Sequence, residues 1–478
     1  MKKLTWVIVP LIMLISPSLV FAQATAELSD GVKEFVAIEG PAVALTGVKV
    51  IDGTGRSPRS NQTVLIEDGR ISAVGLTDDV AIPAGTDIHD MSGHTVIPGM
   101  IGLHNHMFFM GAGGRMAQQS VSSPRLYLAA GVTTIRTTGS VSPYADLNVK
   151  FQIERGVEPG PRMHVTAPYV TGPDPSIGDM AQVNSPEAAR RFVRYWAAEG
   201  VTWIKAYTTI RRAELAAIIE EAHAQGIRVT GHICSVTFQE AVDLGIDNIE
   251  HGFATATDFD PRKQPDQCPD NSMVVVGEEG DPEGEIARSV VLKMVAAGVG
   301  MTSTMAVIEP MTKGRRVLDE RTLEAMAPEV REDYLEMVDQ IEADPDWAMT
   351  EEHLQKGMAF ERGFVEAGGV LAAGVDPTGI GGAIAGFGDQ RNYQLLIEAG
   401  FSAPRVVQIM GPNGARIMGI DDELGTVEPG KLADLVVLDG DLEANSEVIK
   451  QVAVVFKDGV GYDSERLIAS VKGLVGIR

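Results

Sequence analysis

Residues 201–234 read VTWIKAYTTI RRAELAAIIE EAHAQGIRVT GHIC. The stretch opens on an apolar run, Val201–Tyr207, and closes on another, Arg228–Cys234. Between them Leu215, Ala216, Ile218, Ile219 and Ala222 recur at helical spacing among charged residues, within a predicted helix Arg211–Gln225. Gly226 follows where a helix C-terminal glycine belongs. Strand, helix and strand in so short a span form a βαβ unit, whose two strands run parallel.

The same rhythm extends in both directions. The eight strand-like runs are Thr95–His106, Gly131–Thr138, Met163–Tyr169, Val201–Tyr207, Arg228–Cys234, Ile246–Gly252, Val299–Val307 and Val370–Asp376. Eight alternating βα units imply an α/β fold, a closed (β/α)₈ barrel of the TIM type. Two insertions interrupt it. One, Ala254 to about Glu285, is rich in Asp, Glu and Pro, and the other, Glu309–Glu352, reads as helices. Long loops on the catalytic face of a barrel shape or gate the pocket, which is the role expected of the first.

Outside the barrel the pattern is short strands and turns. Val48–Ile51 runs into Asp52-Gly53, and Val64–Ile66 into Asp68-Gly69. Near the end of the chain, Val452–Phe456 runs into Asp458-Gly459. Asp-Gly between apolar runs is a hairpin signal. The two ends therefore form one small β-sandwich, from residues 25–94 and 423–478, around a barrel over 95–422.

Residues 1–24 lie outside this scheme. A basic start, Met1-Lys2-Lys3, precedes an apolar run to Phe21 and the small-x-small triplet Ala22-Gln23-Ala24. This is the pattern of a secretory signal peptide cut after Ala24, so the mature chain is expected to be exported, periplasmic or secreted, and free of the membrane. With 40 basic and 65 acidic residues the net charge is −25, which excludes a nucleic-acid partner on electrostatic grounds. The two cysteines, Cys234 and Cys268, make no disulfide scaffold, and whether they pair is left open.

Barrel enzymes carry their chemistry at the C-terminal ends of strands. The first run ends Leu103-His104-Asn105-His106, and residues two apart in a strand share a face. The fourth contains Lys205 and Tyr207, the fifth His232 and the sixth His251, and the eighth ends at Asp376. One histidine at a strand end is commonly a hydrogen-bonded structural residue. Four of the chain's nine, with a lysine and an aspartate, all at one barrel mouth, suit a zinc-like ion. The remaining histidines, His89, His94, His164, His223 and His353, fall elsewhere and read as structural.

Here the chain resembles the amidohydrolase superfamily, most closely its imidazolonepropionase-like and dipeptidase-like branch. The resemblance rests on Val96–His106, on Gly131-Val132-Thr133-Thr134-Ile135-Arg136, on Asn248-Ile249-Glu250-His251-Gly252 and on Gly425–Asp434. It implies two divalent ions, zinc foremost. His104, His106 and Asp376 would hold the inner one, His232 and His251 the outer one, and Lys205, carboxylated on its amine, would bridge them. An unmodified lysine, with a pKa near ~10.4, is a cation and a poor ligand. Its alternative role is an ion pair with Asp376.

The implied reaction is hydrolysis of an amide C–N bond in a small molecule, such as a dipeptide, an N-acyl amino acid or a cyclic amide. Asp376 would be the proton carrier, and Tyr207 the donor to the developing oxyanion. The rival readings are a mononuclear deaminase, against which Lys205 argues, and a non-catalytic periplasmic ligand-binding protein, against which Asp376 argues. Thr137 and Gly388-Asp389-Gln390-Arg391 depart from the family's pattern, which leaves substrate identity open. The oligomeric state, a homo-oligomer included, is open as well.

Overall fold

The computed structural model describes residues 27–173 and 180–477. The leader, residues 1–24, lies outside the described residues.

The barrel strands are β1 Met100–Asn105, β2 Val132–Thr137, β3 Arg162–Val165, β4 Trp203–Ala206, β5 Arg228–Gly231, β6 Asn248–Glu250, β7 Gly300–Ser303 and β8 Leu371–Ala373. All neighbouring pairs are parallel. β8 closes on β1 through the pair Ala373–Gly102. β3 pairs β2 along one edge, and the residues that follow it reach β4, with Thr166 bridging Trp203 and Val170 pairing Ala206. The ring is therefore continuous, and its strand ends converge on one mouth.

The fourth unit follows the sequence closely. Its helix spans Arg212–Ala224, one residue inside the predicted limits at each end, and Gly226 takes the left-handed conformation expected after a helix. All eight strands are shorter than the predicted runs, and in two the surplus belongs to another element. Thr95–Pro98 belongs to the small domain, where it pairs antiparallel with Leu435–Leu438, and the barrel strand begins only after Gly99. A side chain at Gly99 would meet Thr133 Oγ1 at 2.2 Å, so glycine marks the crossing from one sheet to the other. The seventh run ends at Ser303, and Met305–Ile308 turns into a helix. All four residues of that turn are buried, and a short buried apolar run carries no periodicity to tell strand from helix.

The two chain ends build one curled nine-stranded sheet around a core of its own, including Val43, Leu45, Val64, Val437 and Phe456. The layers expected of a sandwich thus belong to a single continuous sheet. Asp68-Gly69 and Asp458-Gly459 both have positive φ throughout, the two-residue hairpin turn their sequence announced. The second insertion is helical, with Glu320–Ala325 and Pro328–Ala343.

Arg162, at the start of β3, couples the barrel to the small sheet. It bonds Asp434 Oδ2 at 2.8 Å, Thr134 Oγ1 at 3.0 Å and Asp458. Burial opposes the charge on Asp458, but Lys457 and Arg162 outweigh it and hold its pKa down to about 2, against 3.8 ordinarily. A carboxyl depressed on folding adds stability that is full above the unfolded value and is lost as pH falls through the folded one. We predict that Arg162→Met lowers unfolding free energy by about 2–4 kcal/mol near neutral pH, since it strands two partly buried acids. The deficit should shrink between pH 4 and 2. Equilibrium denaturation across that range measures both; an unchanged midpoint at neutral pH would remove Arg162 from this role.

Candidate metal centre

β1 delivers His104 and His106 to the mouth, each essentially inaccessible to solvent. The closing strand then brings Asp376 against both. Asp376 Oδ1 lies 3.3 Å from His106 Nε2, and Oδ2 lies 3.5 Å from His104 Nε2. Lys205 Nζ is 3.3 Å from His104 Nε2. Donors each about 2.0–2.1 Å from one tetrahedral ion stand roughly 3.3 Å apart. These gaps match that spacing. The ion-pair partners of Asp376 are His104, His106 and His251, so the alternative of a Lys205–Asp376 pair is not the arrangement found.

On the other side, the ring of His251 stands 4.5 Å from that of His104, and the ring of His232 stands 4.4 Å from that of His251. One ligand atom from each of His104, His251 and Asp376 can be drawn into a group no wider than 4.8 Å. All six expected ligands thus meet in one place. His106 lies at one end of the cluster and His232 at the other.

The imidazoles are held in the form an ion requires. His106 Nδ1 donates to the Gly139 carbonyl at 3.1 Å, and His251 Nδ1 faces Thr304 Oγ1 at 2.8 Å. His104 Nδ1 meets Glu250 Oε2 at 2.8 Å. The carboxylate and the carbonyl can only accept, so His104 and His106 carry their proton on Nδ1 and keep the Nε2 lone pair available. Burial, aided by the charge of Lys205, pushes His104 down to about 4 and His232 to about 3, so both are neutral at physiological pH. Burial also pulls the Lys205 amine down to about 8, nearer the neutral form that reacts with carbon dioxide.

Two site residues have left-handed backbones, His251 with φ 63° and Asp376 with φ 48°. Such a conformation costs a side-chain-bearing residue roughly 1–2 kcal/mol and is tolerated where the surroundings enforce it. At His251 it breaks the alternation of β6. Glu250 and His251 are consecutive, yet both contact His104. Strand periodicity assigns neighbours to opposite faces, which is why Glu250 escapes a sequence reading. Tyr169 escapes too, since it lies beyond β3 in a run with no recognisable motif. Its hydroxyl is 3.2 Å from His106 Nε2. Tyr207 packs between Tyr169 and His232, its ring 4.8 Å from that of His232 and 5.1 Å from that of Tyr169.

The remaining histidines sit apart from the cluster. His89 pairs with Asp87, His223 with Asp247, and His353 caps a helix at Thr350. The positions that depart from the family's pattern have local tasks. Thr137 Oγ1 accepts from Thr166 N, and buried Asp389 accepts from Asn105 and Gly386. Gln390 donates to the Ala130 carbonyl, and Arg391 pairs with Glu309.

The first insertion is stapled to the loop after β5. Cys234 and Cys268 form a disulfide, Lys263 Nζ donates to the Ser235 carbonyl at 2.7 Å, and Arg212 grips both oxygens of Asp266. These bonds tie it to the segment that begins just beyond His232.

The model of the amidohydrolase family matches residues 95–461. The chain belongs to this family, whose members hydrolyse carbon–nitrogen bonds and generally use divalent metals. Among characterised relatives, it is 31% identical over 130 residues to an imidazolonepropionase of Nocardia farcinica, covering 25% of this chain and 32% of that one. It is also 31% identical over 83 residues to a dihydroorotase of Mycobacterium tuberculosis, covering 17% and 18%. The chain thus matches well under two thirds of the length of either. The fold recurs in a Xaa-Pro dipeptidase crystallised with methionine in its active site, with TM-score 0.65, 21% identity and coverage of 88% of this chain and 100% of that one. It recurs in a bottromycin amidohydrolase, with TM-score 0.70, 21% identity and 91% coverage of each chain.

The cluster predicts a measurable affinity independent of any reaction. Adding zinc to chelator-treated protein should raise its thermal midpoint, because a ligand that binds only the folded state stabilises it by about 4 kcal/mol at 1,000 times its Kd. Asp376→Ala should remove most of that rise while the metal-free melting temperature changes little. An equal zinc-induced rise in both proteins would exclude Asp376 as a ligand.

Proposed function

We propose that this protein is an exported amidohydrolase that holds two divalent ions and cleaves an amide C–N bond in a small molecule. A dipeptide, an N-acyl amino acid and a cyclic amide are the substrate classes that fit. The observation carrying this reading is the convergence of His104, His106, Lys205, His232, His251 and Asp376 on one buried mouth, where the nearest atoms of His104, His106, Lys205 and Asp376 stand at the spacing of ligand atoms and the rings of His251 and His232 adjoin them. Six donors exceed what one tetrahedral ion takes, and nitrogen with carboxylate oxygen suits zinc. Carboxylation of Lys205 would turn a buried cation into a bridging anion.

Ions held there would supply a water acidic enough to ionise near neutral pH and a Lewis acid for a carbonyl oxygen. The chain's own residues supply the rest. Asp376 takes the proton from the attacking water and hands it to the leaving nitrogen, which departs poorly as an anion. Tyr207 or Tyr169, whose rings touch beside the cluster, donates to the carbonyl oxygen as charge develops on it. The buried aromatic and thioether cluster of Phe108, Tyr169 and Met180 beside His106 would back an apolar portion of the substrate. Export is supported by the Cys234–Cys268 bridge, since such bonds persist in oxidising compartments.

The test joins elemental analysis to a panel of dipeptides, N-acyl amino acids and cyclic amides. We expect two ions per metal-replete chain and turnover on at least one class. One ion or fewer would defeat the binuclear reading and favour a deaminase. Lys205→Ala should lose at least one ion and on the order of 100-fold in activity, a ligand's loss being at least as costly as that of a supporting group. Acetate should restore part of both by entering the vacated space. A Lys205→Ala protein that keeps two ions and most of its turnover would refute the bridging role.

A further inference from the structure

Glu250 and Arg136 are both wholly buried, and they form an ion pair at 2.5 Å. Removing two charges from water is costly, and hydrophobic residues of equal volume would commonly serve stability as well. What distinguishes this pair is how its hydrogen bonds are shared. Oε1 of Glu250 accepts from Arg136 Nη2, from Asn248 Nδ2 at 3.0 Å and from Thr230 Oγ1. Three donors fix that oxygen. Oε2 is left for His104 Nδ1, at 2.8 Å.

Arg136 is fixed in turn. Its Nε donates to the Leu103 carbonyl at 2.8 Å, one residue before His104, and its guanidinium stacks over Trp203 at 4.5 Å. The pair therefore grips His104 through its ring and through the backbone beside it. Glu250 shares the inner face of β6 with Asn248, and the left-handed turn at His251 brings the next side chain to the same side.

We propose that the Arg136–Glu250 pair is a positioning device for the metal site, holding His104 in its Nδ1–H tautomer with Nε2 aimed at the inner ion. A carboxylate behind a ligating imidazole fixes its orientation and raises its basicity, and losing such a partner typically costs 10–100-fold in metal affinity. Arg136 binds the far oxygen of that carboxylate and so orients the near one towards His104. The assignment rests on the metal reading given above.

The test compares wild type, Glu250→Gln and the double variant Arg136→Met/Glu250→Gln, each stripped of metal. Zinc binding is measured by calorimetry, the cobalt absorption spectrum reports ligand geometry, and metal-free melting reports the fold. Glu250→Gln strands a buried cation, so it should melt lower and bind the inner ion 10–100-fold more weakly. The double variant carries neither charge. Its metal-free melting should return towards wild type while its zinc affinity stays 10–100-fold low and its cobalt spectrum stays altered. Recovery of melting and affinity together would show that the pair merely stabilises the fold, and would overturn the proposal. So would a Glu250→Gln protein with unchanged affinity. A wild-type protein that binds no zinc would defeat the metal reading itself, and this inference with it.

Discussion

The backbone of Gly374 lies so close to β1 that a Cβ built on it would meet the amide nitrogen of His104 at 2.2 Å. No side chain fits there. Two residues later, the amide of Asp376 donates to the His104 carbonyl at 2.7 Å. The last barrel strand is thereby laid against the first, and the ring is drawn shut at the point where the candidate ligands begin. Every distance in the site depends on this closure, because His104 and His106 arrive on one strand and Asp376 on the other. Some 270 residues of chain separate the two partners, and one glycine sets how near they come.

Charge is the second constraint. The mouth buries two acids, Asp376 and Glu250, and two bases, Arg136 and Lys205. Glu250 and Arg136 cancel each other. His104, His232 and His251 stay neutral, because burial disfavours their protonated forms. Only Asp376 and Lys205 then face the space between the rings. As an ammonium, Lys205 would repel an incoming cation. As a carbamate it changes the local charge by two units and attracts one.

Much of this arrangement is written locally in the chain. Strand–helix alternation with glycine stops reports the barrel, since amphipathic periodicity and backbone freedom act over a few residues. Ligands at strand ends follow, because a parallel barrel sends those ends to one side. What escaped depends on three dimensions. The run Thr95–His106 is one apolar stretch, and only packing against Thr133 divides it at Gly99. Glu250 looks like a residue of the opposite face until the backbone of His251 turns left-handed. Tyr169 meets His106 across 63 residues of sequence, with no motif to announce it. Two cysteines among 478 residues say nothing of their separation, which the fold alone makes 5.0 Å between Cα atoms.

That bridge has a chemical side as well as a mechanical one. Cys234 lies two residues beyond His232, so a free thiol there would be a soft donor stationed at the edge of a nitrogen and oxygen site. Thiolates bind zinc and copper avidly, and they oxidise readily when a metal activates them. Joined to each other, the two sulfurs have no charge to offer an ion. The staple that holds the insertion thus also narrows the choice of donors, leaving the imidazoles and the carboxylate without a thiolate rival from this pair.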